Sequence, residues 1–134
     1  MTAEQTGGPV ILIVEDNPRN LKLVRDVLNH AGYRTLEAST AEDGLALARS
    51  HRPGLVLMDI QLPGMDGVEA LRRLRSDPAT AGARVLALTA FAMKEDRERF
   101  LSAGFDGHLE KPLDVRRLPS QVAAVLGEQR EGAA

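Results

Sequence analysis

Three short, entirely apolar runs constrain the fold more than any other feature of the sequence. They lie at residues 10–14, 55–58 and 85–88, and each is followed at once by polar or charged residues. Aliphatic runs of this length are typical of strands that are buried on both faces. Segments with apolar residues at helical spacing separate them. This alternation predicts an α/β fold in which parallel strands are joined by crossover helices.

Two thinner candidate strands, at residues 33–38 and 105–110, extend the pattern to five strands alternating with five helices. Right-handed crossovers then favour a doubly wound parallel sheet. The pattern does not fix the strand order, and we predict 2-1-3-4-5, the flavodoxin-like order. We expect one domain at residues 9–127, between a flexible N-terminus at 1–8 and a flexible tail at 128–134.

Local signals predict where several helices begin. Asn17 followed by Pro18 is typical of a cap and first helical position, and residues 39–42 resemble a capping box. Asp114 is the predicted cap of the last helix. Pro119 falls one turn later, where it would remove a backbone hydrogen bond, so this helix either begins late or kinks.

Composition excludes several classes of function. The chain has 134 residues, a net charge of −2 and no cysteine. Disulfides and thiolate metal sites are therefore excluded, in agreement with a reducing cytoplasm. The negative net charge does not favour binding of nucleic acid, and with only 3% aromatic residues a base-stacking surface is not expected either. No apolar run is long enough for a membrane helix, and we expect no membrane partner.

The polar residues that follow the predicted strands form one candidate site, because ligands bind outside the carboxyl ends of such a sheet. They are Glu15, Asp16, Asp59, Thr89 and Lys111. Clustered carboxylates without histidine or cysteine favour a hard cation such as Mg²⁺. A carboxylate can also act as a nucleophile toward phosphorus, with an ammonium and a hydroxyl neutralising the phosphoryl oxygens.

Four motifs, in order and each at a predicted strand end, resemble the receiver domain of response regulators. They are VEDN at 14–17, LMDIQLPGMDG at 57–67, LTA at 88–90 and EKP at 110–112. The resemblance covers roughly residues 9–126. It implies a phosphorelay protein that accepts a phosphoryl group from a phosphohistidine on a sensor kinase or phosphotransfer protein, and then switches its contacts with a downstream protein.

The resemblance also implies roles for individual residues. Asp59 would be the phosphoacceptor, and Lys111 would pair with the phosphoryl group while Thr89 follows it. Asp16 and Asp59 would hold Mg²⁺ directly, together with the backbone carbonyl of Gln61. Two further implications are that Glu15 would act through a bound water and that the Lys111–Pro112 peptide bond would be cis.

Two positions bear on how such a switch would behave. Receivers usually carry tyrosine or phenylalanine three residues before the lysine, where this chain has His108. We expect an imidazole there to change the coupling between this position and Thr89, and its protonation to make the output of the switch depend on pH. Phe91, two residues after Thr89, would hinder water and prolong the phosphorylated state, and the side chain of Gln61 would also affect dephosphorylation.

Other residues have simpler interpretations. Arg72, Arg73 and Arg75 on the third helix are interpreted as a solvated face. Gly64 and Gly67 are interpreted as turn residues.

Several functions compete at this stage. Because the sequence ends shortly after the last helix, we expect a stand-alone regulator without turnover of a substrate, in which phosphorylation can drive dimer formation. A receiver cut from a longer protein would fit the same residues. An interaction module that is never phosphorylated is the main alternative. An aspartate-nucleophile phosphatase is disfavoured because Gln61 cannot act as its general acid, and a flavin protein because acids follow the first strand.

Overall fold

A computed structural model describes residues 9–90 and 94–133, and in it strands and helices alternate throughout. The strands are β1 (Val10–Val14), β2 (Arg34–Ala38), β3 (Leu55–Asp59), β4 (Arg84–Thr89) and β5 (Gly107–Glu110). The helices are α1 (Pro18–His30), α2 (Ala41–His51), α3 (Gly67–Ser76), α4 (Lys94–Ala103) and α5 (Leu118–Ala133). No helix in these two ranges is long and apolar enough to cross a bilayer.

All strand pairs in the sheet are parallel, and their order is β2-β1-β3-β4-β5. The predicted order is therefore confirmed. Parallel pairing brings the carboxyl ends of β1, β3, β4 and β5 to one edge. The register pairs Val14 with Met58, Asp59 with Leu88, and Thr89 with Glu110, so the residues that end these strands are neighbours.

Two apolar cores cover the two faces of the sheet, because side chains alternate along each strand. Ile11 and Ile13 point toward α1 and α5, where they pack with Leu28 and Val122. The intervening residues of the strand, such as Leu12, pack on the other face with residues of α2, α3 and α4. Each such buried side chain contributes roughly 1.5–3 kcal/mol by leaving water. The two cores fix the strand ends in place.

The predicted start of α1 is confirmed, since the Asn17 side chain accepts hydrogen bonds from the first turn and Pro18 is the first helical residue. The capping box was placed one residue early. Thr40, rather than Ser39, caps α2 by accepting a hydrogen bond from the Asp43 N–H at 3.1 Å.

Asp114, the predicted cap of the last helix, caps the turn that leads into that helix, and its carbonyl accepts from the Leu118 N–H at 2.9 Å. Its side chain accepts from the Arg116 N–H at 3.0 Å and closes a turn ahead of the helix. α5 itself begins at Leu118, so Pro119 is its second residue, where a backbone N–H would have no partner in the helix. α5 continues to Ala133, through most of the segment predicted as a tail. Residues 1–8 lie outside the described ranges.

Candidate functional site

The candidate site is built where four strands end. Among the described residues, four polar side chains are buried, and three of them are here: Glu15 is 1% exposed, Asp59 3% and Thr89 1%. Burial of unpaired polar groups costs free energy, so this concentration at one edge requires compensation by partners or ligands. The fourth, Thr80, lies in the α3–β4 loop, where it donates a hydrogen bond to the Leu74 carbonyl at 2.7 Å.

Backbone hydrogen bonds extend the sheet beyond its strands and hold the functional residues. The Glu15 N–H donates to the Ala38 carbonyl at 3.0 Å. The Lys111 N–H donates to the Thr89 carbonyl at 2.8 Å, which joins the segment after β5 to the end of β4. The Lys111–Pro112 peptide bond is cis. Each functional side chain therefore starts from a fixed backbone position.

Lys111 is the cation that two buried carboxylates of the site share. Its Nζ lies 2.8 Å from Asp59 Oδ2 and 3.0 Å from Glu15 Oε1. Burial opposes the charge of the ammonium, but its hydrogen bond to Asp59 and its ion pair with Glu15 outweigh burial and raise the pKa of Lys111. Lys111 therefore remains a cation between two carboxylates.

Glu15 is the least satisfied group of the site. Its Oε2 accepts a hydrogen bond from the Asn17 N–H at 3.0 Å. Its buried Oε1 is in charge contact with Lys111 but receives no aligned hydrogen bond. Burial raises the pKa of the Glu15 carboxyl, the hydrogen bond from Asn17 and the charge contact with Lys111 oppose this, and the nearby Asp59 charge adds to the rise. This oxygen has capacity for a further donor or cation.

The acids are placed for a cation. Glu15, Asp16 and Asp59 each offer a carboxylate oxygen, and these oxygens lie within 4.8 Å of one another. Glu15 and Asp59 are buried, whereas Asp16 is exposed, in an open cleft of about 650 Å³. An all-oxygen set of this kind, together with the incompletely bonded Glu15 Oε1, fits a hard divalent ion.

Gln61 adds a backbone contact to the phosphoacceptor candidate. The Gln61 N–H donates to Asp59 Oδ1 at 2.9 Å, and Gln61 also lines the cleft. This bond fixes one carboxylate oxygen of Asp59 while Lys111 holds the other. The role of the Gln61 carbonyl as a metal ligand stays a prediction.

The two positions predicted to modulate the switch have different outcomes. His108 is half-buried on β5, opposite Ala87 of β4. Thr89 lies two residues beyond Ala87, so His108 and Thr89 share one face of the sheet. Phe91 lies outside the described residues.

Sequence interpretation missed two residues of the site. Arg19 lines the cleft from the first turn of α1, three residues after Asp16. Gly67 is the first residue of α3, not a simple turn residue: a Cβ there would lie 2.8 Å from the Asp59 carbonyl oxygen and 3.0 Å from Ile60 Cα. Arg19 could have been found from its position three residues after Asp16. The close approach of Gly67 to the backbone of Asp59 depends on tertiary structure and could not.

The sequence family agrees with this geometry. The family described as "Response regulator receiver domain" matches residues 11–123. The chain belongs to the response regulator receiver domain family. This receiver domain is 42% identical to the polar-differentiation response regulator DivK of Brucella anthropi over 118 residues, which cover 88% of the chain and 96% of that relative. Receiver domains are components of two-component systems and act as regulators.

Solved receiver domains have the same fold. A CheY-like receiver domain protein from Methanospirillum hungatei superposes with a TM-score of 0.83 at 32% identity, covering 92% of this chain and 97% of that one. The receiver domain of a sensor histidine kinase from Pseudomonas aeruginosa gives a TM-score of 0.82 at 34% identity, covering 90% and 98%. That second protein was crystallised with a magnesium ion coordinated in its active-site cleft.

Proposed function

We propose that the chain is a cytoplasmic switch of a phosphorelay, in which Asp59 accepts a phosphoryl group from a phosphohistidine of a sensor kinase or phosphotransfer protein. The observation that supports this most is the pairing of Asp59 Oδ2 with Lys111 Nζ at 2.8 Å, at the base of an acidic cleft. A nucleophilic carboxylate with a cation beside it is what the chain's own side chains must supply for phosphoryl transfer onto aspartate.

In the transfer step, one carboxylate oxygen of Asp59 attacks phosphorus in line with the leaving group. The P–N bond breaks, and its electron pair goes to the imidazole nitrogen, which leaves as neutral histidine when the other ring nitrogen carries a proton. The product is an acyl phosphate. The bonds from Gln61 and Lys111 hold the two oxygens of Asp59, so the carboxylate is oriented before the donor arrives.

Asp16 and Asp59 would hold Mg²⁺ directly with the Gln61 carbonyl, and Glu15 would hold it through water. When bound, the ion supplies positive charge against the carboxylates and the phosphoryl oxygens. The fit rests on the three carboxylate oxygens within 4.8 Å and on the incompletely bonded Glu15 Oε1.

After transfer, the charge of Asp59 moves outward onto the phosphoryl oxygens, and Lys111 follows it as their partner. Thr89 supplies a hydroxyl donor from the end of β4. His108 lies on the same face of the sheet as Thr89, so a displacement of Thr89 reaches the exposed edge strand β5. That edge then changes its contacts with a downstream protein or with a second copy of the chain.

The part of His108 in this switch has its own test. His108→Tyr is expected to change the pH profile of the response of β5 amide NMR signals to beryllofluoride, because tyrosine does not titrate between pH 5 and 8. An unchanged profile would exclude an imidazole-dependent switch.

The phosphoacceptor is tested by mass. The protein is incubated with Mg²⁺ and acetyl phosphate beside two variants, Asp59→Asn and the control Asp26→Asn, whose carboxylate is exposed on α1 and pairs with Lys22. Intact mass is then read quickly. We expect one phosphoryl adduct on the wild type and on the control, none on Asp59→Asn, and none without Mg²⁺.

Two results would count against the proposal. An adduct that survives in Asp59→Asn would move the phosphoacceptor elsewhere. No adduct from acetyl phosphate and no NMR response to beryllofluoride would favour a receiver fold that acts as an unphosphorylated interaction module.

A further inference from the structure

Arg19 differs from the other cation of the cleft. Lys111 is engaged by two carboxylates, at 2.8 and 3.0 Å. Arg19 is exposed and lines the same cleft, but within residues 9–90 and 94–133 its guanidinium has neither an ion pair nor a hydrogen bond. A planar guanidinium with five N–H donors and no partner is available to an external anion.

The net charge of the cleft indicates what an unpaired cation at its mouth can do for an anionic phosphodonor. Its lining contains three carboxylates, of Glu15, Asp16 and Asp59, against the two cations Arg19 and Lys111. A phosphodonor arrives as an anion and meets this excess of negative charge until Mg²⁺ binds, and Mg²⁺, like Lys111, would be held by the acids at the base of the cleft. Because Lys111 neutralises groups at the base, Arg19 is the cation that meets the donor at the mouth.

The N-terminus of α1 does not provide this function by itself. The side-chain Oδ1 of Asn17 already accepts hydrogen bonds from the backbone N–H groups of Arg19 at 2.9 Å and Asn20 at 3.4 Å. Among the described residues that line this corner of the cleft, the Arg19 side chain is the charged donor without a partner. Arginine also binds phosphate with two parallel hydrogen bonds, which a lysine cannot do.

We propose that Arg19 is a specificity-determining residue that captures the phosphoryl group of the incoming donor before transfer to Asp59. The proposal rests on the function proposed above and adds the group that recruits the donor. Arg19 then acts on donor binding and leaves the bond-forming step at Asp59 unchanged. Capture of this kind selects donors with an exposed, doubly charged phosphoryl group.

The test measures the rate of Asp59 phosphorylation against acetyl phosphate concentration at saturating Mg²⁺ for each variant. In this reaction Asp59 attacks phosphorus, and the P–O bond breaks with its electron pair leaving on acetate. The variants are Arg19→Ala, Arg19→Lys and the control Arg116→Ala. Arg116 is also exposed, but it lies outside the cleft, so the control makes the same change in net charge.

For Arg19→Ala we expect the half-saturating donor concentration to rise about fivefold, as for loss of one exposed charge pair, with the maximal rate unchanged. Arg19→Lys should recover part of the loss, and Arg116→Ala should behave as wild type. High salt should erase the difference between wild type and Arg19→Ala, because it screens exposed charges.

Three outcomes would overturn the inference. A wild type without an Asp59-dependent adduct removes it together with the proposed function. An adduct with equal donor dependence in wild type and Arg19→Ala removes the inference alone, as does an equal loss in Arg116→Ala. A fall in maximal rate only would assign Arg19 to the architecture of the cleft instead of donor capture.

Discussion

Charged side chains are arranged in opposite ways at the two ends of the sheet. At the amino ends of β4 and β5, the Arg75 guanidinium donates to the Ala81, Ala83 and Gly104 carbonyls at 3.1, 2.6 and 3.1 Å, and to Asp106 Oδ2 at 3.2 Å. Asp106 Oδ2 also accepts from the Val85 N–H at 2.7 Å. We call this set of contacts the Arg75 clamp. It joins α3 to the loops before both strands.

At the carboxyl ends, carboxylates outnumber cations and bonds are incomplete. Glu15 Oε1 is buried without an aligned hydrogen bond, and Lys111 alone serves two acids. Polar groups that satisfy each other stabilise a fold, whereas groups that need a further partner bind one. The Arg75 clamp is therefore structural, whereas the acidic edge gives up stability and keeps capacity for a further partner.

Gly67→Ala should have the largest effect, which is on the rate of phosphorylation. It disturbs the backbone of the acidic edge without changing a charge. The new Cβ would meet the Asp59 carbonyl oxygen at 2.8 Å, and backbone atoms cannot move aside cheaply. Displacement of Asp59, the proposed phosphoacceptor, is expected to slow phosphorylation by acetyl phosphate roughly tenfold to a hundredfold. The rate is measured per folded molecule, with the folded fraction taken from urea denaturation.

Gly82→Ala is the matched control, since a Cβ there meets nothing within 4 Å and the residue is exposed. It should phosphorylate at the wild-type rate. If Gly67→Ala also kept that rate per folded molecule, the first turn of α3 would not position Asp59, and the glycine would matter for folding only.

Arg75→Ala should have the opposite profile and destabilise the protein without slowing its chemistry. Removal of the guanidinium leaves three carbonyls without this donor and takes one of several donors from the Asp106 carboxylate, which costs about 2 kcal/mol in the free energy of unfolding. Arg72→Ala serves as control, because the Arg72 side chain is 73% exposed, and its cost should stay within about 0.5 kcal/mol.

Urea denaturation gives the free energies, and acetyl phosphate gives the phosphorylation rate per folded molecule. Equal stability of the two arginine variants would show that the clamp is a surface contact. A large loss of rate in Arg75→Ala would mean that the two ends of the sheet are coupled.

The residues of these two ends also show what the sequence could predict. Glu15, Asp59, Thr89 and Lys111 were predictable because each lies at the end of a predicted strand, and parallel strands bring such positions together. The strand order needed the fold rules, not the pattern alone. These predictions use only local sequence and one geometric rule of parallel sheets.

Arg75 was predicted to be solvated like its neighbours, and this was wrong for a physical reason. Its carboxylate partner, Asp106, is 31 residues away in the sequence. Its other acceptors are backbone carbonyls, which every residue type has and which the sequence therefore does not mark. The same limit applies to Gly67, whose neighbour is the backbone of Asp59. Contacts to backbone atoms across the fold depend on packing, which periodicity does not encode.

The smallest predicted effect separates stability from binding at the acidic edge. Without Mg²⁺, Glu15→Gln should raise the free energy of unfolding at pH 7 by about 1 kcal/mol. Burial raises the pKa of Glu15, so its ionised form is disfavoured in the folded state, and the amide avoids this cost. Lys111 keeps its contact with Asp59 at 2.8 Å. With Mg²⁺, the order should reverse, because the variant loses a charge that we propose holds the ion through water.

Thermal unfolding with and without Mg²⁺ measures both parts, and Glu37→Gln is the control. Glu37 pairs with Arg25 at 3.1 Å on the surface, so its variant should change little under either condition. Should Glu15→Gln be less stable than wild type without Mg²⁺, the contact with Lys111 outweighs the burial of Glu15. The acidic edge would then resemble the Arg75 clamp, and the difference between the two ends of the sheet would lie in access to the cleft, not in unsatisfied charge.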